Sequence, residues 1–452
     1  MAFELTRELI DNLKEAIERQ DTDACREFIT DLHPADIADI FNELDIEEAK
    51  FLYLLVDDEL AADILIEMDQ DIREQFIDIL PGELIARQFI ENMDSDDAAD
   101  VIGELTPEKK DEILSNIEDI DQAGAILDLL GYDKNTAGGL MAKELIKVNE
   151  NWNIVTSLRE MRKQAENVDE IYYVYVVGDD KKLKGTLSLK KLLLTPTSST
   201  IKNVYNQEVI SVQVDTTSEE VANIMDRYDL VALPVVDAIG RLVGRITIDD
   251  VVDVIREEAE RDYQLISGIT EDIQPSDNVL LITRARLPWL LIGLLGGIFG
   301  AQVIGLYETD LGIYPEMAFF IPLIAAMGGN VGVQSSAIIV QSIASNTMGI
   351  ESPFKRVIKE FAVASLNGII CSAITLGYNL FFTESFALTA TVSASLFSVI
   401  IFASIFGTFI PLALHRLKID PALATGPFIT TLNDILGLFV YLMIGRMMYE
   451  AF

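Results

Sequence analysis

The chain has 452 residues and a formal charge of -39, from 73 Asp+Glu against 34 Lys+Arg. An excess of acid that large repels nucleic-acid phosphate and attracts cations, so nucleic acid is excluded as an expected partner. The two cysteines, Cys25 and Cys371, are too few and too far apart to suggest a disulfide framework.

The charge is lopsided. Nine of the acids and eight of the bases follow residue 280, which leaves 64 acids and 26 bases, a net of -38, in residues 1–280. The first part is expected to be acidic and water-soluble, the second apolar and nearly neutral. The start, MAFELTRELIDNL, has no basic stretch followed by an apolar run, so no signal peptide is expected.

Helical periodicity with short breaks runs from about Ala2 to Leu130. Within it HPADIADIFNEL, from His33, matches DSDDAADVIGEL, from Asp94, at an offset of 61. A stack of short helices, a small superhelical domain over 1–130, is the expectation. His33, one of two histidines, is expected to act at a helix start and not as a metal ligand.

A second repeat follows. VYVVGDDKKLKGTLSLKKLL from Val174 and LPVVDAIGRLVGRITIDDVV from Leu233 align at an offset of 59, Gly185 onto Gly244 and Ser188 onto Thr247. Each unit reads strand, helix, strand, turn, strand, helix, with Val/Ile/Leu runs as strands and TSLREMRKQ and TSEEVANIMDRY as capped amphipathic helices. This α/β pattern resembles a tandem pair of CBS domains, placed at 131–199 and 200–252. Such pairs often bind adenine nucleotides through a Gly-hydrophobic-x-Ser/Thr-x-x-Asp stretch. The second unit has it as GRITIDD, with Gly244, Thr247 and Asp250, whereas the first has Lys191 in place of the acid. At most one cleft per chain is therefore expected to take ATP, through Thr247 and Asp250. A Thr and an Asp after a strand are equally an ordinary helix N-cap.

DDVVDVIREEAERDYQLISGI, Asp249 to Ile269, carries Asp249, Asp253, Glu257 and Glu260 along one helical face. Like charges at that spacing repel, so the face is stable when solvated or when cations neutralise it. A connecting helix is placed at 253–280.

From 281 to 452 five apolar runs are each long enough to cross about 30 Å of hydrocarbon. They are Leu287–Leu306, Met317–Ala344, Phe361–Phe382, Phe386–Leu414 and Pro421–Met447. Bases cluster before the first run and in the loops ESPFKRVIKE and HRLKID, and are absent from YETDLGIYPE and FTES. That alternation places the first 280 residues in the cytoplasm and the C-terminus outside. Asn330 and Gln334 share a face of the second span, beside Gly328, Gly329 and Gly332, which allow close helix approach or a local break. Asp434 is the only charged residue of PALATGPFITTLNDILGLFVYLMI and lies near the middle of that run. A carboxylate in the bilayer costs roughly 2.5–3.5 kcal/mol on insertion scales, so a water-filled pathway that meets cations is the expected setting. No Gly-rich phosphate loop with a following Lys and Ser/Thr occurs, so neither an ATP-driven pump nor another enzyme is expected.

The order of parts resembles the MgtE family of magnesium channels across nearly all of the chain. The residues that carry the resemblance are LHPADIADIFNEL, NTAGGLM at Asn135–Met141, PLIAAMGGNVGVQ from Pro322 and DPALATGPFITTLNDILG from Asp420. The resemblance implies a multidomain membrane protein: an all-α superhelical first domain, an α/β CBS pair and an α-helical five-span domain. It implies a homodimeric, Mg²⁺-selective, Mg²⁺-gated channel in the cytoplasmic membrane, in contact with lipid and divalent cations. Asp434 and Asn330 become the pore residues. Matching positions for regulatory Mg²⁺ are Asp96, Asp100, Glu219, Asp229, Asp250, Asp253, Glu258, Asp262 and Asp420, with 253–280 as the plug. Arg261 interrupts the acidic run there. Two alternatives stay open: a channel for Mn²⁺, Co²⁺ or Ni²⁺, and a membrane-bound divalent sensor that transports nothing. Softer ions favour His or Cys ligands, and Cys371 and His415 do not neighbour Asp434 in the sequence.

Overall fold

The computed structural model describes residues 5–30, 32–165, 168, 170–270, 273, 278–344, 353–383 and 385–451. It divides into two compact units, Met1–Arg256 and Glu257–Phe452.

The first unit begins with short helices of four to twelve residues, from Arg7–Glu18 to Ala137–Leu140. Many of its acids shape these helices. Asp21, Asp45, Asp57 and Asp119 each accept a backbone N–H at a helix start, and Asp45 with Glu48 forms a reciprocal capping box. Negative charge is favourable at that end of a helix, which turns part of the acid excess into punctuation. His33 does the same at α1 (Pro34–Asn42), where its Nδ1 accepts from Ala35 N–H. The 61-residue repeat places α2 (Ser95–Glu104) as the counterpart of α1. The apolar faces meet in one core, with Tyr53 stacked on Phe89 at 4.9 Å and Phe76 edge-on to both.

Two three-stranded sheets follow. The first holds β1 (Ile146–Asn149), β2 (Val174–Val177) and β3 (Leu183–Leu187), with α3 (Ile154–Gln164) after β1 and α4 (Leu189–Leu194) after β3. The second holds β4 (Val212–Gln213), β5 (Ala232–Val236) and β6 (Leu242–Thr247), with α5 (Ser218–Arg227) after β4 and α6 (Ile248–Ile266) after β6. In each, the first pair is parallel and the second antiparallel. The offset of 59 persists in backbone detail. The ladder irregularity at Val176/Val177 recurs at Val235/Val236. The two units also meet through equivalent residues: Leu183 N–H donates to Gly240 O, and Leu242 N–H donates to Lys181 O. That reciprocity is the mark of a pseudo-two-fold pair. Helix α6 starts at Ile248 directly from β6, because Thr247 and Asp250 close its first turn. The expected connecting helix at 253–280 is thus the continuation of a helix that begins earlier and ends at Ile266. Residues 271, 272 and 274–277 of that stretch lie outside the described residues.

The second unit contains five helices long and apolar enough to cross a membrane. They are α7 (Val279–Leu306), α8 (Ile321–Ala344), α9 (Pro353–Phe382), α10 (Phe386–Arg416) and α11 (Pro427–Ala451). Half of the apolar window of α10 is buried, against 17% for α7 and α9. So α10 forms the centre, packing Val392, Leu396, Val399 and Ile400 against Ile324 of α8 and Tyr441 of α11. Helices α7 and α9 start well before the apolar runs Leu287–Leu306 and Phe361–Phe382, since their first turns carry the polar and basic residues of the membrane edge. Two starts differ in the other direction. Residues Pro315–Phe320 form a 3₁₀ turn ahead of α8. The last expected span began at Pro421, but Pro421–Ala424 is a separate 3₁₀ turn and α11 starts at Pro427. Gly426 at φ 59 breaks the path, a backbone state that glycine adopts without strain. Asp434 therefore lies in the second turn of α11's span, about 10 Å from the helix start, and not at its middle.

Candidate functional site

Two settings for carboxylates emerge, one in each unit. In the first, the N-terminal turn of α2 carries Asp94, Asp96, Asp97 and, one turn on, Asp100. Glu144 is brought to the same place by Ser95, whose hydroxyl donates to Glu144 Oε2 at 2.7 Å and accepts from Lys143 N–H at 2.9 Å. Ligand oxygens of Asp94, Asp96 and Glu144 lie within 4.8 Å of one another, the spacing needed to share one cation. Asp250, in the first turn of α6, faces the same group, as does Asp249. The buried guanidinium of Arg245, from β6, lies 3.6 Å from Asp94 and donates to Glu170 O at 2.8 Å. The acids of the cluster outnumber the cations beside them, Arg245 at Asp94 and Lys134 and Arg73 at Asp100, which leaves it under-neutralised.

The titration directions reflect this. Burial, then the charge of Asp250, holds Asp96 well above the usual carboxylate range. Burial and Asp250 push Asp97 to about 7, and burial pushes Asp250 to about 6 despite the hydrogen bonds from Thr247 that oppose it. Asp100 is exposed by area, yet it loses enough hydration to the surrounding protein to be raised as well, with Lys134 opposing. A cluster that resists full ionisation binds protons or metal cations.

The structure brings Asp96, Asp100 and Asp250 into this one electrostatic group. It does not bring Glu219 and Asp229 to it or to each other. Glu219 is in the first turn of α5 and Asp229 lies past its end, roughly 15 Å away at helical rise. Asp253 is exposed on α6, in line with Asp249, Glu257 and Glu260. Further along α6, Glu258 pairs with Arg261 at 3.6 Å, and Asp262 is half-buried. Asp420 caps the 3₁₀ turn before α11, accepting from Ala422 N–H at 2.8 Å. Thr247 donates both its N–H (3.1 Å) and its hydroxyl (2.7 Å) to Asp250 Oδ2, so Asp250 closes the helix start as acceptor, the reverse of an N-cap in which the Thr oxygen accepts a backbone N–H. Asp94, Asp97, Glu144 and Arg245 were not expected. The run DSDD at a helix start was the visible signal for the first two. Nothing local pointed to Glu144 or Arg245.

In the second unit Asp434 is half-buried, and no hydrogen bond or ion pair reaches it among the described residues. Helix α8 is unbroken, so its glycines serve close approach. A Cβ at Gly329 would lie 3.4 Å from Asp434 Oδ1, and one at Gly332 would overlap the amide of Asn433. Asp434 thus sits against α8 one residue from Asn330. Asn330 and Gln334 are exposed on the surface of the single chain. Asn433 is buried, with neither amide atom bonded among the described residues.

Comparison with known proteins bears on both units. A family model described as a divalent cation transporter, MgtE, matches residues 321–444. The MgtE intracellular N domain matches 32–135, and the CBS domain matches 137–195 and 201–257. The magnesium transporter MgtE of Bacillus subtilis (strain 168) is 32% identical over 418 residues, 92% of each chain. That of Thermus thermophilus is 32% identical over 444 residues, 97% of this chain and 98% of the relative. A crystal structure of the cytosolic domain of the Mg²⁺ channel MgtE in complex with ATP is 33% identical, with a TM-score of 0.51. It covers 54% of this chain and 99% of that one.

Proposed function

Because the chain belongs to the MgtE family of divalent cation transporters, with five membrane-spanning helices, we propose that it is a homodimeric channel for downhill Mg²⁺ uptake across the cytoplasmic membrane. In this reading residues 281–452 conduct, residues 1–130 and the CBS units at 131–199 and 200–252 sense, and 253–280 connect the two. The observation that carries it is Asp434, unpaired among the described residues, against the backbone of Gly329 in α8.

Asn330 and Gln334 on the outer surface of one chain would be costly against lipid, where an unsatisfied amide has no water to turn to. A second copy across a two-fold axis covers Asn330, while Gln334 turns into the cleft between α8 and α9, and brings two Asp434 carboxylates together, a charge of about -2. Mg²⁺ gives up its water reluctantly and is suited by one or two carboxylates with waters retained, which Asn330 can hydrogen-bond. An inside-negative potential supplies about 2.3 kcal/mol per charge per 100 mV, so uptake needs no ATP hydrolysis and no catalytic residue. The N-terminal part lies in the cytoplasm and the C-terminus outside, by the distribution of loop bases.

Closure follows from Mg²⁺ at Asp96, Asp100 and Asp250, with Glu219, Asp229, Asp253, Glu258, Asp262 and Asp420 as further ligands. The crowded, proton-retaining acids around α2 support this, since bound Mg²⁺ relieves their repulsion only in the arrangement that brings them together. Moving a gate from 1:99 to 99:1 needs about 5.5 kcal/mol. A site with tenfold preference supplies about 1.4 kcal/mol, so about four are needed, within reach of a dimer. ATP is a regulatory ligand of the second CBS cleft, through Thr247 and the carboxylate of Asp250. Calorimetry with ATP on wild type and Asp250→Ala tests that part.

The deciding experiment is Mg²⁺ flux into liposomes holding the purified chain. Uptake by wild type and none by Asp434→Ala supports a channel. No uptake by folded wild type at low Mg²⁺ would leave a sensor, and equal uptake of Ni²⁺ or Co²⁺ would favour a softer-ion channel.

A further inference from the structure

A cleft of about 450 Å³ opens between α8 and α9, away from Asp434. Its rim carries Arg356 and Lys359, and its floor carries Glu360. Ser335 of α8 and Ser404 of α10 both donate to Glu360 Oε1, at 2.6 and 2.5 Å, which fixes the carboxylate in place. No hydrogen bond to Glu360 Oε2 is made among the described residues. Arg356 is oriented by its bond to Ser342 Oγ at 2.8 Å. Lys359 is exposed and has no hydrogen-bond or ion-pair partner among the described residues. The walls below are mixed: Ile338 on one side and Val363 on the other are apolar, and the amides of Gln334 and Asn367 line the cleft a turn further along each helix.

Depth assigns a level to each part. Helix α9 has 30 residues, about 45 Å of length, against about 30 Å of hydrocarbon. Arg356 and Lys359, in its first two turns, therefore stand at the headgroup layer, while Val363 lies a turn deeper. Beyond the cleft the exposed face of α9 continues with Leu366 and Ile370. Two cations above a fixed carboxylate, with Ile338 and Val363 beneath and the exposed apolar face of α9 beyond, form an amphipathic seat. A soluble anion would use the cations and waste the wall. A bare acyl chain would use the wall and leave the charges unanswered.

We propose that this cleft seats an anionic phospholipid whose headgroup bears hydroxyls. The phosphodiester meets Lys359 and Arg356, a headgroup hydroxyl donates to Glu360 Oε2, and an acyl chain follows Ile338 and Val363 onto the outer face of α9. Basic pockets between membrane helices take anionic headgroups by the same physics. The inference rests on the membrane setting of these helices and not on Mg²⁺ transport.

The test is lipid retention by the full-length chain, purified in detergent, titrated with phosphatidylglycerol or phosphatidylcholine and weighed intact by native mass spectrometry. Wild type is expected to keep phosphatidylglycerol in preference to phosphatidylcholine, whose headgroup has no donor. Lys359→Ala should weaken that retention roughly fivefold, the share of one base near an anionic surface. Its exposed side chain makes folding a small concern, and an unchanged melting temperature confirms it. Val363→Trp should exclude the lipid with the charges intact. Three results would overturn the proposal. One is equal retention of the two lipids by wild type or no loss in Lys359→Ala. Another is competition by free glycerol phosphate at the same concentration as the lipid, which marks a soluble-anion site. The third is a shift from dimer to monomer in Val363→Trp with lipid unchanged, which marks a contact with a second copy.

Discussion

Asp96 and Asp434 are both carboxylates withdrawn from water, and the two units hold them in opposite ways. Asp96 stands in a crowd with Asp94, Asp97, Glu144 and Asp250, one cation, Arg245, beside them. Asp434 stands apart, against Gly329 and with no hydrogen-bond or ion-pair partner among the described residues. In the first unit, repulsion among many acids is the resource: it is tolerable while protons or cations are present and costly when they are gone. In the membrane unit, isolation is the resource: under the proposed function, an acid that no hydrogen bond or ion pair reaches among the described residues is where a cation would pass. Under the proposed function the same side chain would serve sensing by excess and conduction by isolation.

That contrast is broken most severely at Asp434. Asp434→Ala should reduce Mg²⁺ flux in proteoliposomes by at least about a hundredfold, the loss of a cation ligand worth some 3 kcal/mol. It should leave the dimer and its melting temperature intact, because removing an unpaired acid from apolar surroundings does not destabilise a helix. Flux equal to wild type through the folded variant would end the conduction half of the comparison.

Neutralising the crowd should have the opposite sign. Asp96→Asn with Asp100→Asn should raise flux at millimolar Mg²⁺ by roughly tenfold per cation site lost. Deleting 1–130 should leave a channel that closes less completely still. Tighter closure in either variant would show that the acids do not act through bridging cations.

A smaller effect sharpens the sensing half. Asp97, at about 7, and Asp250, at about 6, keep protons in the folded state above the ordinary carboxylate value of 3.8. Between those limits the folded protein binds more protons than the unfolded chain, so its stability falls as pH rises. In chelator-treated protein the melting temperature should drop by a few degrees from pH 5 to pH 8, and millimolar Mg²⁺ should flatten the slope. A flat profile without metal would mean that the cluster is not under strain.

The smallest effect concerns assembly of the crowd. Ser95→Ala removes the hydroxyl that joins Glu144 to α2 and leaves a buried Lys143 N–H without that acceptor. A loss of about 1–3 kcal/mol in denaturant unfolding is expected, with a weaker Mg²⁺ response. Unaltered stability would place Glu144 outside the cluster's support.

The sequence by itself determined what depends on neighbours along the chain. Apolar runs long enough to cross a bilayer, the 61- and 59-residue repeats, His33 at a helix start, and the oddity of Asp434 are all local or periodic facts. They were legible because a helix or strand displays its buried face every three to four or every two residues. Tertiary structure alone decided which distant segments share a place. Glu144 lies 49 residues from Ser95 and Arg245 lies 151 from Asp94, and no pattern along the chain links them. The approach of Asp434 to α8 depends on α11 settling against the bare backbone of Gly329, a matter of which helix fills which gap. The start of α11 at Pro427 likewise required a left-handed Gly426 between two prolines, where hydropathy is continuous and only backbone geometry changes. Periodicity records which side of an element is buried. It does not record what that side is buried against, because packing is set by the shapes of surfaces that meet only after the chain has folded.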